Sequence, residues 1–143
     1  MEKFEPTVKY KVIYAYSMPY ETHKGALKVG DTTVATELPL DELVPNCRIL
    51  NQAAKARIGR DLSRHSLSYK LEYTELAVRV LNGYGAPFRD YDVHNVLLNS
   101  GVHKVRPNGE TGEEWFLADL ATVKAAIRAF KDGESSIPSG YIV

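Results

Sequence analysis

Cysteine is nearly absent from this sequence, in which Cys47 is the single example among 143 residues. One thiol cannot close an internal disulfide, and it cannot build a zinc site from several cysteines. No apolar run approaches the roughly 18 residues of a membrane-spanning helix. Residues 1–5 also lack the basic and apolar regions of a signal peptide. We therefore expect a cytoplasmic protein that folds without disulfides and does not enter a membrane.

Net charge is also absent, because 18 lysines and arginines balance 18 aspartates and glutamates. The affinity of a protein for nucleic acid rises with the number of basic side chains that contact phosphates. A neutral chain is therefore not expected to coat DNA by itself, although a local basic site remains compatible with the composition. If DNA is the substrate, another domain or subunit is expected to supply most of the affinity.

Hydrophobic periodicity divides the chain into strands and helices. Alternating stretches rich in valine, isoleucine and tyrosine predict strands, and apolar residues three or four positions apart predict helices. Asn46 and Asp119 belong to the residue types that cap helix N termini. The predicted elements, in chain order, are the strands Tyr10–Ser17 and Ala26–Thr33, a helix from Asn46 to Arg60, the strand Tyr69–Val80, the helix Asp90–Asn99, a short extended piece Glu113–Leu117, and a helix that begins at Asp119.

The resulting order, ββαβαα, predicts an α+β fold in which a three-stranded, mainly antiparallel sheet packs with helices. The length suits one domain, expected over residues 1–132. Residues 133–143 contain glycine, serine and proline, which favours a tail or a linker to a downstream domain.

Three motifs stand in a characteristic order. Val12–Tyr14 reads Val-Ile-Tyr, Lys28–Gly30 reads Lys-Val-Gly and is followed by Thr32, and Arg57 lies in the next helix. This order resembles the GIY-YIG nuclease superfamily, whose first two motifs read Gly-Ile-Tyr and Tyr-Ile-Gly. Because it begins with lysine, the second motif is similar to that of a Lys-Ile-Gly branch of the superfamily. The resemblance implies the GIY-YIG fold and metal-dependent hydrolysis of DNA, with Gly30, Thr32 and Arg60 at the substrate.

The second half of the chain carries the end of the same pattern. Phe88–His94 and then Glu114–Phe116, which reads Glu-Trp-Phe, are similar to the lysine-containing branch. Over about residues 11–131 the chain resembles amino-terminal modules of restriction-type helicases. That similarity implies a downstream helicase or another domain as a partner. The first motif lacks its glycine, and the resemblance puts an aspartate where the metal-binding glutamate is usual.

Tyr14 and Lys28 each have a structural and a functional interpretation. A strand tyrosine is commonly a half-buried core residue, and a strand lysine is commonly solvated. In the functional interpretation Tyr14 takes a proton from the attacking water, which requires a nearby cation because free tyrosine has a pKa of about 10. Lys28 or a metal ion is the candidate cation, and Lys28 could instead contact the phosphate. Gly30 allows a ligand or backbone to approach closely.

Arg57 lies seven residues after Leu50 and three after Ala54, which predicts a position on the apolar face of the helix. A charge on an inward face needs a partner or a ligand. With a partner, Arg57 would form a structural ion pair. The ligand would be the phosphate, whose transition-state charge suits the planar guanidinium. Arg60, on the flank, is the second candidate.

Asp90 and His94 are four residues apart and share one helix face. Asp90 is interpreted either as the N-cap of the helix or as the ligand of one Mg²⁺ (or Mn²⁺) ion. Asp92 is the weaker candidate for the metal. His94 orients a water or phosphate, or else is a hydrogen-bonded histidine at a helix interface.

Together these residues predict an endonuclease domain that hydrolyses phosphodiester bonds in DNA, as part of a restriction or DNA-processing protein. One carboxylate favours a single metal ion. Two rival functions remain at this stage. The first is a DNA-binding module that kept the fold and lost cleavage, which the neutral charge and the lysine in the second motif favour. The second is a protein-docking module of a larger enzyme.

Overall fold

A computed structural model describes residues 8–63, 67–107 and 115–142 of the chain. Within residues 8–63, single 3₁₀ turns lie at Glu21–His23 and Leu40–Glu42. Among the described helices, none combines the length and apolarity needed to cross a membrane. The other elements are β1 (Val8–Ser17), β2 (Ala26–Thr36), α1 (Arg48–Asp61), β3 (Lys70–Leu76), β4 (Val78–Leu81), β5 (Tyr84–Pro87), α2 (Asp90–Asn99), β6 (Trp115–Leu117) and α3 (Leu120–Lys131).

The main sheet has four antiparallel strands in the order β3-β1-β2-β6, and β4 and β5 form a separate hairpin. The α+β class is therefore confirmed, whereas the prediction of three strands was wrong. The short piece that ends at Leu117 pairs with β2 and becomes a fourth strand. The long strand predicted over Tyr69–Val80 is broken at Ala77, where the chain leaves β3 and enters the hairpin. Three residues of β6 are too few to show a period in the sequence.

Alternation along β1 assigns its side chains to the two faces of the sheet. Ile13 and Ala15 belong to a large apolar cluster with α2 and α3. Tyr14 and Tyr16 belong to a cluster with α1, through Ala54 and others. Both faces of the sheet are consequently covered by helices.

The start of α1 differs from the prediction. Cys47, rather than Asn46, is the N-cap, and Asn46 adopts a left-handed backbone with φ 63°. Its side-chain oxygen accepts a hydrogen bond of 3.0 Å from the backbone N–H of Thr74 on β3. The backbone carbonyl of Asn46 accepts a hydrogen bond of 3.0 Å from the side-chain nitrogen of Asn51. The side-chain oxygen of Asn51 in turn accepts one of 2.6 Å from the Thr74 hydroxyl. Asn46 therefore ties α1 to β3 instead of capping the helix, a role its side chain can take because asparagine tolerates left-handed backbone.

The other two helix starts also bear on the predictions. Arg89 is the N-cap of α2, and the carboxylate of Asp92 accepts a hydrogen bond from its backbone N–H at 2.9 Å. Asp90, predicted as a possible cap, is instead the first helical residue. At α3 the prediction is confirmed, because the Asp119 carboxylate accepts a bond from the backbone N–H of Thr122 at 2.9 Å.

Residues 133–142, predicted as a tail or linker, lie against α2 and α3. The backbone N–H of Ile137 donates to the Ser100 hydroxyl at 2.8 Å. The Tyr141 hydroxyl donates to Asp132 at 2.7 Å, and the Arg128 guanidinium lies 4.1 Å from the centre of the Tyr141 ring. This segment therefore packs on the domain over the described part of its length.

Candidate functional site

A polar cleft of about 350 Å³ opens where α1 and the start of α2 meet strands β1 and β2. Five of the predicted site residues line it, although they come from four elements. They are Tyr14, Thr32, Arg57, Arg60 and Asp90. Five further residues line the cleft that the sequence did not single out, namely Lys11, Asp31, Thr33, Asp61 and Arg89.

Tyr14 reaches the cleft across the backbone of β2. It is paired with Gly30 in the antiparallel register, and its ring lies roughly parallel to that of Tyr16 at 6.1 Å. A Cβ atom on Gly30 would lie only 2.6 Å from the Tyr14 hydroxyl oxygen. Real Cβ atoms do not approach that closely, so glycine is required at position 30 if the tyrosine is to keep this position. Gly30 therefore acts on the site through its contact with Tyr14.

The spacing of Arg57 predicted a position on the buried face of α1, but the structure does not bury its side chain there. Its side chain is 47% exposed, and its Nε donates to the Asp61 carboxylate at 3.3 Å, one helix turn later. The charge of Asp61 and this hydrogen bond raise the pKa of Arg57, with smaller contributions from Tyr14 and Asp31. The long side chain starts near the apolar stripe and carries the guanidinium out to the cleft, as arginine commonly does.

Asp31 is a buried carboxylate of the cleft that the sequence did not identify. It is buried on β2, and its Oδ2 accepts hydrogen bonds from Arg89 Nε at 2.7 Å and from the backbone N–H of Asp90 at 2.9 Å. Burial alone would raise the pKa of Asp31, but Arg89, the Asp90 N–H and the charge of Lys11 outweigh it and lower that pKa. Asp31 is thereby held ionised and anchors the first turn of α2 to the sheet.

Four cationic side chains and three carboxylates share the cleft. The cations are Lys11, Arg57, Arg60 and Arg89, and the carboxylates are Asp31, Asp61 and Asp90. Lys11 also donates to the Thr33 hydroxyl at 2.9 Å. Guanidinium forks are chemically suited to an anionic group with several oxygens.

Lys28 and His94 are predicted site residues that do not line this cleft. Lys28 pairs with Tyr16 across the strands, and its Nζ lies 5.9 Å from the centre of that ring. His94 is buried on the other side of the sheet, with Nε2 2.7 Å from the carbonyl oxygen of Val29 and its ring 4.9 Å from that of Phe116. Its hydrogen bond and burial are those of a histidine at the interface between helix and sheet.

The Glu-Trp-Phe motif is only partly visible. Glu114 lies outside the described residues. Trp115 and Phe116 are both buried, Trp115 beside the Tyr16 ring and Phe116 in the cluster with α2 and α3. Both aromatic side chains are therefore core residues.

The three carboxylates that line the cleft are not grouped as a metal-binding cluster. Within residues 8–63, 67–107 and 115–142, no three histidine, cysteine, aspartate or glutamate side chains are grouped to hold a metal ion. Mg²⁺ does not require such a cage, since it keeps several waters and often binds one or two carboxylates together with phosphate oxygens. The donor set of the cleft, with Asp90 on its wall, suits that mode of binding.

Comparisons of the chain with protein-family models, with curated proteins and with solved structures find no match. Function must therefore be inferred from the cleft and from the motifs that line it.

Proposed function

We propose that this chain is a DNA endonuclease domain of GIY-YIG type that hydrolyses phosphodiester bonds in the cleft, with one divalent metal ion. The convergence of Tyr14, Arg57 and Asp90 carries the proposal. They come from β1, α1 and α2, and they line one polar cleft. The motif order of the sequence implied that these three residues share a site.

Arg57 and Arg60 hold the scissile phosphate in this proposal. Both arginines line the cleft, and Arg57 has an exposed side chain that can reach a bound group. Charge grows on the phosphate oxygens as the water attacks, and a cation already in position stabilises that charge more than it stabilises the ground state. Arginine therefore contributes to the rate more than to binding.

Tyr14 is the proposed proton acceptor for the attacking water. Its hydroxyl lies over Gly30, and Arg57 is close enough to interact with it electrostatically. A neighbouring positive charge favours a phenolate. Arg57 supports this role from the cleft itself, whereas Lys28 is paired with Tyr16, two residue pairs along the strands from Tyr14 and Gly30.

Asp90 is the proposed ligand of Mg²⁺ or Mn²⁺. When bound, such an ion polarises the phosphate and stabilises the leaving oxygen. The backbone N–H of Asp90 donates to Asp31, so the first turn of α2 is held against the wall of the cleft. Asp31 thus positions Asp90 and is not itself a proposed metal ligand.

The second candidate function is a module that binds DNA without cutting it, and one observation favours it. Among the described residues, no three histidine, cysteine, aspartate or glutamate side chains are grouped to hold a metal ion, whereas binding of DNA by the cations of the cleft needs no metal.

Nicking of supercoiled plasmid by the purified chain, with Mg²⁺ and with a chelator, separates the two functions. We expect metal-dependent nicking that Arg57→Ala reduces about a hundredfold or more, the range typical of a lost transition-state contact. Arg48→Ala is the matched control, because Arg48 is an exposed arginine at the other end of the same helix. DNA binding without nicking by the wild type would favour the binding module. Absence of both binding and nicking at low salt would favour protein docking.

A further inference from the structure

Lys11 is a cation of the cleft that belongs to none of the three motifs. Its Nζ donates to the Thr33 hydroxyl at 2.9 Å, whereas Arg57 and Arg89 donate to carboxylates. An ammonium group has three donor hydrogens, and this hydroxyl is a single neutral acceptor. Lys11 therefore brings to the cleft a positive charge and donors that can be directed at a bound anion.

Among the described residues, the charges that line the cleft do not cancel. Four cations and three carboxylates leave one positive charge, in a chain that is neutral as a whole. The charge of Lys11 lowers the pKa of Asp31, but Asp31 accepts its hydrogen bonds from Arg89 and from the backbone N–H of Asp90. Lys11 acts on that carboxylate through its charge while its own hydrogen bond goes to Thr33. This arrangement favours an added anion as the ligand of Lys11.

The register of β1 and β2 separates Lys11 from the proposed reaction centre. Tyr14 is paired with Gly30, and its hydroxyl lies against that glycine. Lys11 is paired with Thr33, three residues further along β2, which is about 10 Å of strand. Alternation along β1 also directs the two side chains to opposite faces of the sheet, and the cleft is lined from both. One phosphate group is too small to contact both the Tyr14 hydroxyl and the Lys11 ammonium.

We infer that Lys11 binds the phosphate next to the scissile one, so that the cleft holds two consecutive phosphates of a DNA strand. The inference rests on the proposed function, which places the scissile phosphate at Arg57 and Tyr14. Because Lys11 does not touch the reacting atoms, it contributes to binding of the substrate and not to the rate of the chemical step. The substrate class that follows is a polynucleotide with at least two adjoining phosphodiesters, rather than an isolated diester.

The salt dependence of DNA binding tests the contact. Fluorescence anisotropy is measured with a short labelled duplex, in a chelator so that the DNA stays intact, between about 50 and 200 mM KCl. We expect Lys11→Met to weaken binding about tenfold at low salt, as for one lost hydrogen bond to a charged group. The slope of log K against log salt should fall in magnitude by about 1, because one phosphate contact is lost. Lys11→Arg, which keeps the charge, should retain the slope.

Two further variants separate phosphate binding from other effects of charge and structure. Lys24→Met removes the same charge from an exposed lysine in the turn between β1 and β2, outside the cleft, and should leave affinity and slope unchanged. Thr33→Val removes the hydroxyl that holds Lys11 but leaves the ammonium, so the slope should be kept. If Thr33→Val lowers the slope as much as Lys11→Met does, the role of Lys11 is structural and the inference is overturned.

The kinetics of plasmid nicking test the position of the contact. Lys11→Met should raise KM about tenfold and leave kcat unchanged, because a contact beside the reaction centre is equally strong in the ground state and the transition state. Arg57→Ala should instead lower kcat, since it acts at the scissile phosphate. A fall in kcat for Lys11→Met as large as that for Arg57→Ala would place Lys11 at the scissile phosphate and overturn the inference.

These outcomes keep the inference apart from the proposed function. If the wild type nicks plasmid but Lys11→Met keeps the wild-type slope and KM, the inference is overturned and the nuclease remains. If the wild type binds DNA without nicking it, the proposed cleavage is overturned, and a lower slope for Lys11→Met still supports the phosphate contact. A wild-type chain that does not bind DNA at low salt would overturn both.

Discussion

The two faces of the main sheet are packed in different ways. On the α2 and α3 side, Val93, Phe116 and Ile127 belong to one continuous apolar cluster. On the α1 side, the apolar contacts form two smaller clusters, one around Tyr16 and one around Leu50. The polar cleft opens beside α1, whose buried residues are few. The comparison indicates that the first face supplies stability, whereas the second gives up part of its burial to hold charged side chains.

The largest expected effect is on the apolar face. Ile127→Ala removes a fully buried side chain of α3 and should lower the free energy of unfolding by about 2–5 kcal/mol, through lost burial and the cavity left behind. Urea denaturation measures this value. Nicking per folded molecule should stay near that of the wild type, because Ile127 does not line the cleft. A cost below about 1 kcal/mol would mean that the apolar face is not the stabilising one.

The next effect concerns the contact between Gly30 and Tyr14. Gly30→Ala should lower the free energy of unfolding by about 1–3 kcal/mol, because the new methyl group must displace the Tyr14 ring or the strand. Nicking should fall as well, because the hydroxyl moves. Gly59→Ala is the matched control, since a Cβ atom there meets nothing within 4 Å. In a helix that change stabilises by up to about 1 kcal/mol. Equal stability and activity for the two variants would show that the close contact has no role.

Asp31→Asn should lower the free energy of unfolding by about 2 kcal/mol at neutral pH, as expected for lost hydrogen bonds to a charged group. Its dependence on pH gives the sharper result. Because the pKa of Asp31 is lower in the folded state than its ordinary value of 3.8, the ionised form stabilises the fold. That contribution is complete above the unfolded pKa and is lost as the pH falls through the lowered folded pKa.

Denaturation curves of the wild type and Asp31→Asn at several pH values measure the difference. It should be constant near neutrality and shrink in acid. Asp41→Asn, a change in an exposed 3₁₀ turn, should cost about 0.5 kcal/mol or less. A difference between the wild type and Asp31→Asn that persists unchanged into strong acid would show that the ion pair with Arg89 does not stabilise the fold.

The smallest effect on stability is expected at Asp90, where the effect on activity is large. Asp90→Asn removes a charge from the first turn of α2 and should cost about 0.5 kcal/mol. Metal-dependent nicking should be abolished, because an amide is a poor replacement for a carboxylate ligand. Titration of nicking with Mg²⁺ and Mn²⁺ checks this. Full activity at ordinary metal concentrations would exclude Asp90 as the ligand.

Local patterns in the sequence predicted the main elements but not the contacts between distant ones. Alternation located β1 and periodicity located α3 because those signals lie within a few neighbouring residues. The ion pair of Asp31 with Arg89 joins positions 58 apart, and a single aspartate in a strand carries no sign of its partner. Motif order grouped Tyr14, Arg57 and Asp90, whereas the same reasoning added His94, which lies on the other side of the sheet.

Arg57 shows a second limit of periodicity. Its Cα position follows the apolar stripe of α1, yet its charged end is exposed in the cleft. Spacing predicts where a side chain begins, and for a long flexible side chain it does not predict where the charge ends.

The contacts of Asn46, Asn51 and Thr74 fix the rotation of α1 about its own axis. Successive residues of a helix point about 100° apart, so a shift by one residue would turn Arg57 away from the cleft. The buried stripe of Leu50, Ala54 and Ile58 resists a full one-residue rotation, but apolar contacts have no preferred direction and resist small rotations less well than amide and hydroxyl hydrogen bonds do. The hydrogen bonds at Asn51 therefore sharpen the direction in which Arg57 points, roughly 9 Å away along the helix.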